Sequence, residues 1–245
     1  MIQLRWVWVF LDTPEADAPA SEAFWRRVTR THLSSRRGGR AEFATLLPEQ
    51  GDPWLKVQRI TDSPIGGKVH LDRDVDDVDT AAAEATRLGA MEVRRDPDGT
   101  VVVMRSPGGF VFCITSWADH DSATTQVRGG QPDLLDQVCL DAPSEAYAVE
   151  LAFWERLTGW SRGEDNYAEF TSLERPDGIP VKLLVQRLGE PTGTVRGHLD
   201  FATHDREASV ETHVAAGAKV VSVHDGWHVM RDPVGRTYCL TRRTP

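Results

Sequence analysis

The sequence predicts an α+β fold written twice in tandem, and three observations carry that prediction. The segment GWHVMRDPVGRTYCLT (226–241) repeats TVVVMRSPGGFVFCIT (100–115), with seven of sixteen positions identical, the mark of an internal repeat. The echo is collinear along the chain. FWRRVT at Phe24 is answered by FWERLTGW at Phe153, AEFATL at Ala41 by AEFTSL at Ala168, VQR at Val57 by the same triplet at Val185, HLD at His70 by HLD at His198, and LGA at Leu88 by AGA at Ala216. The offset drifts only between 129 and 126. Within each copy the hydrophobic period then switches between the strand value of two and the helical value of 3.6.

The elements follow in order. Leu4, Trp6, Trp8 and Phe10 recur at every second residue, as a half-buried strand requires. The first helix is clearest in the second copy, where Pro143 and Ser144 form a start signal. Tyr147, Leu151 and Trp154 then share one face, and Gly159 stands where a helix C-cap is expected. Strands are predicted over 168–173 and 181–186, with PDG at Pro176 as the turn. GHLDFAT (197–203) is the next strand, and 205–216 a helix ending at Gly217. Strands at 218–223, 227–231 and 236–241 complete the copy, with DPVG as the last turn. The polar stretch DHDSATTQVRGGQP (119–132) reads as a linker. The predicted organisation is therefore a first domain over 1–118 and a second over 133–245.

Composition narrows the function. With 40% hydrophobic and 27% charged residues the chain is of the soluble globular type. It holds no apolar run near the roughly 18 residues of a membrane span. The start, MIQLRWVWVFLD, lacks a small-residue cleavage site. Cys113, Cys139 and Cys239 contain no CxxC pair, which fits reduced thiols and a cytoplasmic location. A net charge of -9 argues against nucleic acid and anionic membrane as partners. Arginine supplies 24 of the 28 basic residues, a bias expected of a GC-rich bacterial coding sequence.

FW on the first helix, a mid-domain HLD, an LGA-type helix end and a terminal hairpin with P-x-G-x-x-x-C, all found twice, resemble the vicinal oxygen chelate superfamily and, within it, the glyoxalase/bleomycin-resistance-like group. The resemblance spans nearly the whole chain. It implies two tandem glyoxalase-like domains, each a pair of βαβββ modules whose mixed sheets curl around a cleft. It also implies metal-ligand positions, in metal-using relatives, on the first strand of each module and on the last strand, where Glu is usual. Carried over to the second copy, these positions fall on Gln137 (or Cys139), Gln186, His198 and Cys239. In the first copy they fall on Trp8, Gln58, His70 and Cys113.

On this reading each copy keeps one histidine and lacks the carboxylate, so no metal or other cofactor is expected. A divalent ion (Zn, Fe, Mn or Ni) enters only if the degenerate site binds one. The resulting expectation is a protein that holds a small organic molecule in one or both clefts. The ligand-binding residues would be Gln137, Gln186, His198, Trp227 and Cys239 in the second copy, and Trp8, Gln58 and His70 in the first. The alternative is a metal-dependent enzyme of the glyoxalase/lyase, isomerase or extradiol-dioxygenase type. A homodimer is compatible with either.

Each candidate also has a plainer reading. Cys113 and Cys239, flanked by Phe112, Ile114, Tyr238 and Leu240, read as buried structural thiols. Trp6, Trp8, Trp25, Trp154 and Trp227 read as core first and ligand platforms second. His204, His213, His224 and His228 have no counterpart in the other copy and are assigned to the surface. Asp72 and Asp200 are assigned to the sheet face opposite the histidines, which predicts no direct His–Asp pair.

Overall fold

A computed structural model describes residues 4–61, 68–117, 132–164 and 167–245. Apart from Pro132, the linker expected at 119–132 lies outside them. The first copy runs β1 (Leu4–Pro14), α1 (Ala18–Val28), β2 (Thr31–Leu33), β3 (Phe43–Pro48) and β4 (Leu55–Ile60). It continues with β5 (Lys68–Val75), α2 (Val78–Arg87), β6 (Met91–Arg95), β7 (Val101–Arg105) and β8 (Val111–Ser116). The second copy repeats this as β9 (Asp133–Ala142), α3 (Tyr147–Thr158), β10 (Ser161–Arg162), β11 (Phe170–Glu174) and β12 (Lys182–Arg187). Its second half is β13 (Arg196–Thr203), α4 (Arg206–Ala215), β14 (Lys219–Val223), β15 (Trp227–Arg231) and β16 (Thr237–Thr241).

Each copy forms an eight-stranded mixed sheet, in the orders β2-β3-β4-β1-β5-β8-β7-β6 and β10-β11-β12-β9-β13-β16-β15-β14. The parallel pairs β5/β8 and β13/β16 join the first and last strands of the second module in each copy. Two details depart from the sequence expectation. Strands β2 and β10 are only three and two residues long, too short to show a period. Helix α3 begins at Tyr147 rather than beside Ser144, because Pro143–Ala146 form a turn closed by Ala146 N–H to the Pro143 carbonyl at 2.9 Å.

Contacts divide the chain into two compact units, and each draws on both copies. Unit 1 holds the β5–β8 module with α2, together with α3 and β10–β12. Unit 2 holds α1 and β2–β4 together with the β13–β16 module and α4. Strand β1 gives Leu4–Val9 to unit 1 and Phe10–Pro14 to unit 2.

The repeated FW pair explains the grouping. Within unit 1, Phe153 and Trp154 of α3 lie edge-on or tilted against Phe112, and Trp154 also meets Phe110. Within unit 2, Phe24 and Trp25 of α1 pack on Tyr238, and Trp25 stacks on Phe201 with ring centroids 6.2 Å apart. Burying such aromatics is the largest single contribution a helix of this length offers.

Each buried indole N–H also needs an acceptor, and the two units supply it differently. Trp25 donates to Asp232 of the DPVG turn at 3.0 Å. Trp154 donates at 2.7 Å to Glu150, one helical turn earlier on α3. The Glu150 carboxyl in turn accepts the Gly108 amide of the SPGG turn at 2.8 Å. A Cβ on Gly108 would lie 2.7 Å from that carboxylate and still closer to Val195, so only glycine fits there. Burial pushes the Glu150 carboxyl up, its three hydrogen bonds only partly offsetting this. In unit 2, Arg236 balances Asp232 at 3.0 Å and reaches Ser21 and Thr13. The repeated hairpin is thus the anchor on which the FW helix is seated.

Unit 2 also buries a polar chain that the sequence reading placed at the surface. His213 is fully buried; its Nδ1 lies 2.9 Å from the Tyr238 hydroxyl and its Nε2 3.3 Å from Asp133. Asp133 also accepts from Arg30 at 2.8 Å. His228 is buried as well, while His204 and His224 are exposed. A histidine on the inner face of α4 has no period-based signature that separates it from a solvated one. Burial works to raise the Asp133 carboxyl, but the bonds from His213 and Arg30 outweigh it and hold the carboxyl below its ordinary 3.8. A depressed acid stabilises the fold fully above its unfolded-state value and loses that contribution as pH falls through the lower folded value. Acid titration followed by circular dichroism should therefore show a steeper loss of stability below pH 3.8 for the native chain than for Asp133→Asn.

Candidate metal centre

Strand period builds the site. On β5, His70, Asp72 and Asp74 alternate with Leu71, Arg73 and Val75, so the first three share one sheet face. The parallel register sets Cys113 beside Asp72 and Thr115 beside Asp74. On β13, His198, Asp200 and Ala202 share the corresponding face, with Cys239 beside Asp200 and Thr241 beside Ala202. The antiparallel neighbour β15 adds Val229 opposite Cys239 and Trp227 opposite Thr241.

The assignment of Asp72 and Asp200 to the far face is thereby corrected. Residues two apart in a strand point the same way. His70 Nε2 lies 3.4 Å from Asp72 Oδ1, and His198 Nε2 lies 3.3 Å from Asp200 Oδ1. The missing carboxylate stands two residues after the histidine rather than on the last strand. In each unit a histidine nitrogen, a carboxylate oxygen and a thiol sulfur fall within 4.8 Å of one another: His70, Asp72 and Cys113 in unit 1, and His198, Asp200 and Cys239 in unit 2.

These three groups fit a metal ion. Asp72 Oδ1 and Asp200 Oδ1 are buried and have no hydrogen-bond partner among the described residues. A buried carboxylate oxygen without a hydrogen-bond partner is costly, and its nearest donor, the histidine nitrogen, forms an ion pair with it only when that imidazole is protonated. At zinc bond lengths of about 2.0–2.2 Å to nitrogen or oxygen and about 2.3 Å to sulfur, tetrahedral donors lie roughly 3.3–3.5 Å (N···O) and 3.5–3.6 Å (N···S) apart. The unit 2 distances are 3.3 Å for His198–Asp200 and 3.6 Å for His198–Cys239.

Electrostatics in unit 2 favour the ionised carboxylate. Burial alone would raise the Asp200 carboxyl, but His198, by its charge and its close approach, then Arg243 and the Gln137 hydrogen bond together hold it below the ordinary range. Gln137 donates from its side-chain nitrogen to Asp200 Oδ2, so it orients the carboxylate and leaves Oδ1 facing the imidazole. Outer partners of this kind orient metal ligands. In unit 1 the matching position is Trp8, whose indole donates to Asp74 Oδ2 at 2.8 Å while Thr115 donates to Asp74 Oδ1.

The remaining expected site residues are placed as follows. Cys113 and Cys239 are both buried. Trp227 is half-buried, shares the Cys239 face and stacks on His224 at 4.6 Å. Gln186 belongs to unit 1, where the Cys139 thiol approaches its carbonyl oxygen at 3.9 Å. Gln58 belongs to unit 2, paired with Phe43 across β3/β4. Neither glutamine therefore shares a compact unit with the histidine of its own copy. Asp72 and Asp200 are the residues the sequence reading missed, and the H-x-D spacing held the signal.

Comparison with known proteins agrees with this architecture. The family model for the glyoxalase-like domain matches residues 8–115 and 137–241. No curated protein matches the chain by sequence. Among solved structures, a variant of homoprotocatechuate 2,3-dioxygenase from B. fuscum is similar at 17% identity and a TM-score of 0.67, over 99% of this chain and 72% of that one. The 2,3-dioxygenase LapB from Pseudomonas sp. KL28 is similar at 12% identity and a TM-score of 0.67, over 98% of this chain and 93% of that one. A xylose isomerase-like TIM barrel/4-hydroxyphenylpyruvate dioxygenase fusion protein is similar at 12% identity and a TM-score of 0.63. There the match covers 98% of this chain but 48% of the fusion, so the chain spans about half that protein's length. At such identities the likeness is one of fold.

Proposed function

We propose that this chain, which belongs to the glyoxalase-like domain family, is a divalent-metal enzyme of the vicinal oxygen chelate type acting on a small organic substrate. The carrying observation is the Asp200 Oδ1 atom, buried without a hydrogen-bond partner beside His198 Nε2 and Cys239 Sγ. His198, Asp200 and Cys239 would hold the ion, and His70, Asp72 and Cys113 are the equivalent set in the first copy. A metal there supplies Lewis-acid polarisation of a substrate oxygen.

The chain's own residues prepare that chemistry. Gln137 fixes the carboxylate, and Asp200, held below the ordinary carboxyl range, stays charged at neutral pH. Val229 and Trp227 continue the same face beside Cys239, where an apolar wall and a flat ring would bound a small substrate and limit water. Isomerase or lyase chemistry is the best-supported class. One imidazole, one carboxylate and one thiolate suit a zinc-like ion, whereas oxygen-using iron enzymes favour two imidazoles and a carboxylate. Ring cleavage is the second reading, supported by the structural likeness to dioxygenases.

The test is elemental analysis of the purified protein, followed by assays of hemithioacetal isomerisation and catechol cleavage with zinc, iron, manganese or nickel restored. Bound metal with turnover of either substrate supports the proposal. Failure to bind any of the four ions below millimolar concentration would overturn it and return the chain to metal-free ligand binding.

A further inference from the structure

Among the described residues the two sheets end in four edge strands, β2, β6, β10 and β14. An edge presents a row of backbone N–H and C=O groups with no strand beside it, and proteins blunt such edges by shortening them or by placing charge on them. Length blunts β2 and β10, which have three and two residues. Charge blunts β6, where Glu92 pairs with Arg95 at 2.9 Å and Arg94 with Asp96 at 3.2 Å. β14 has neither protection. It is five residues long, and Lys219 at its first position is its one charged side chain.

Comparison of the two copies isolates the difference. The repeat aligns Val220, Ser222 and Val223 with Glu92, Arg94 and Arg95. Both edges carry a bulge at the same place, between Val220 and Ser222 and between Glu92 and Arg94. The backbone pattern is shared, and only the side chains change. On β6 the exposed Met91 and Val93 are interleaved with Glu92 and Arg94, so the fold accepts charge at these positions. The second copy instead leaves Val220, Val221 and Val223 exposed by 42%, 48% and 65%. Val214 on the adjoining helix α4 is exposed as well. Apolar side chains gathered on one surface in this way mark an interaction site.

The natural occupant of a strand edge is another strand, and the charges at the two ends of β14 select which one. Lys219 opens the strand, and Asp225, exposed in a surface pair with Arg242, lies two residues past its end. A twofold axis through β14 sets it antiparallel to its own copy. Each Lys219 then comes to the end where the other chain carries Asp225, and the valines meet across the middle. The segment is thus complementary to itself, as an isologous dimer requires. We propose that a second copy of this chain docks here, β14 against β14, joining two eight-stranded sheets across a twofold axis. His198, Asp200 and Cys239 lie on β13 and β16, so this surface does not depend on the metal reading.

The experiment is sedimentation equilibrium of the full chain, with β6 as the internal control. The native chain should sediment at micromolar concentration with twice the mass of one chain. Val221→Lys and Val223→Lys each bring like charges together near the axis and should weaken the dimer at least tenfold. Val93→Lys, the equivalent of Val221→Lys on β6, should leave it intact. Substitutions at exposed positions of this kind seldom disturb folding, and circular dichroism checks that each variant keeps its secondary structure. If Val221→Lys fails to fold, Val223→Lys at the most exposed of the three valines decides alone. A monomeric native chain, assembly beyond a dimer, a dimer that survives both β14 substitutions, or equal weakening by Val93→Lys would overturn the proposal.

Discussion

His198→Ala should lower the metal affinity of the second copy by more than the roughly 10–100-fold that loss of an outer-sphere partner costs. His198 Nε2 sits 3.3 Å from Asp200 Oδ1 and 3.6 Å from Cys239 Sγ, so its removal takes the central donor of three. Gln137→Ala touches only the carboxylate's other oxygen and should fall within that 10–100-fold range. His70→Ala should matter less, because Trp8 occupies the Gln137 position in the first copy and supports Asp74 rather than Asp72. Competition against a chromophoric chelator measures all three. Cobalt substitution adds a second reading, since a thiolate-to-cobalt absorption lost in Cys239→Ser would place sulfur on the ion. Equal losses in His198→Ala and His70→Ala would mean the two clusters are equivalent; no loss in either would remove both from metal binding.

Trp25→Ala should cost about 3–5 kcal/mol of stability, the usual figure for removing a fully buried aromatic. Its ring is fully buried against Phe201 and Tyr238. Its N–H is also one of the bonds that satisfy Asp232, which leaves the Asp232–Arg236 pair short of a donor in a dry setting. Trp154→Ala should cost a similar amount, because Glu150 would lose the 2.7 Å bond from the indole while remaining buried. Urea unfolding of each variant gives the values. A loss below about 0.5 kcal/mol, the scale of a surface change, would show that the FW helices are not seated as described.

Much of this was legible from residue order. The HLD strand, the FW helix and the final hairpin recur at nearly constant spacing, and the strand and helix positions they imply match the observed elements of the second copy to within a few residues. Asp72 and Asp200 were legible too, because a period of two puts them on the histidine face; assigning them to the far face hid the carboxylate. His213 was not legible, since nothing in its sequence neighbourhood announces Tyr238, 25 residues on, or Asp133, 80 residues back.

The sequence by itself determined that the chain is a duplicated α+β protein, with one histidine and one cysteine repeated at matching places in the two copies. Local periodicity and repeat spacing suffice for that, because they depend only on neighbours along the chain. Only the tertiary structure decided that the FW helix α1 packs on β13–β16 and its repeat α3 on β5–β8. Either sheet offers an apolar face to either helix, and period alone cannot choose between them. The choice rests on complementary buried partners, Asp232 with Arg236 for one indole and Glu150 with Gly108 for the other, whose pairing exists only once distant segments meet.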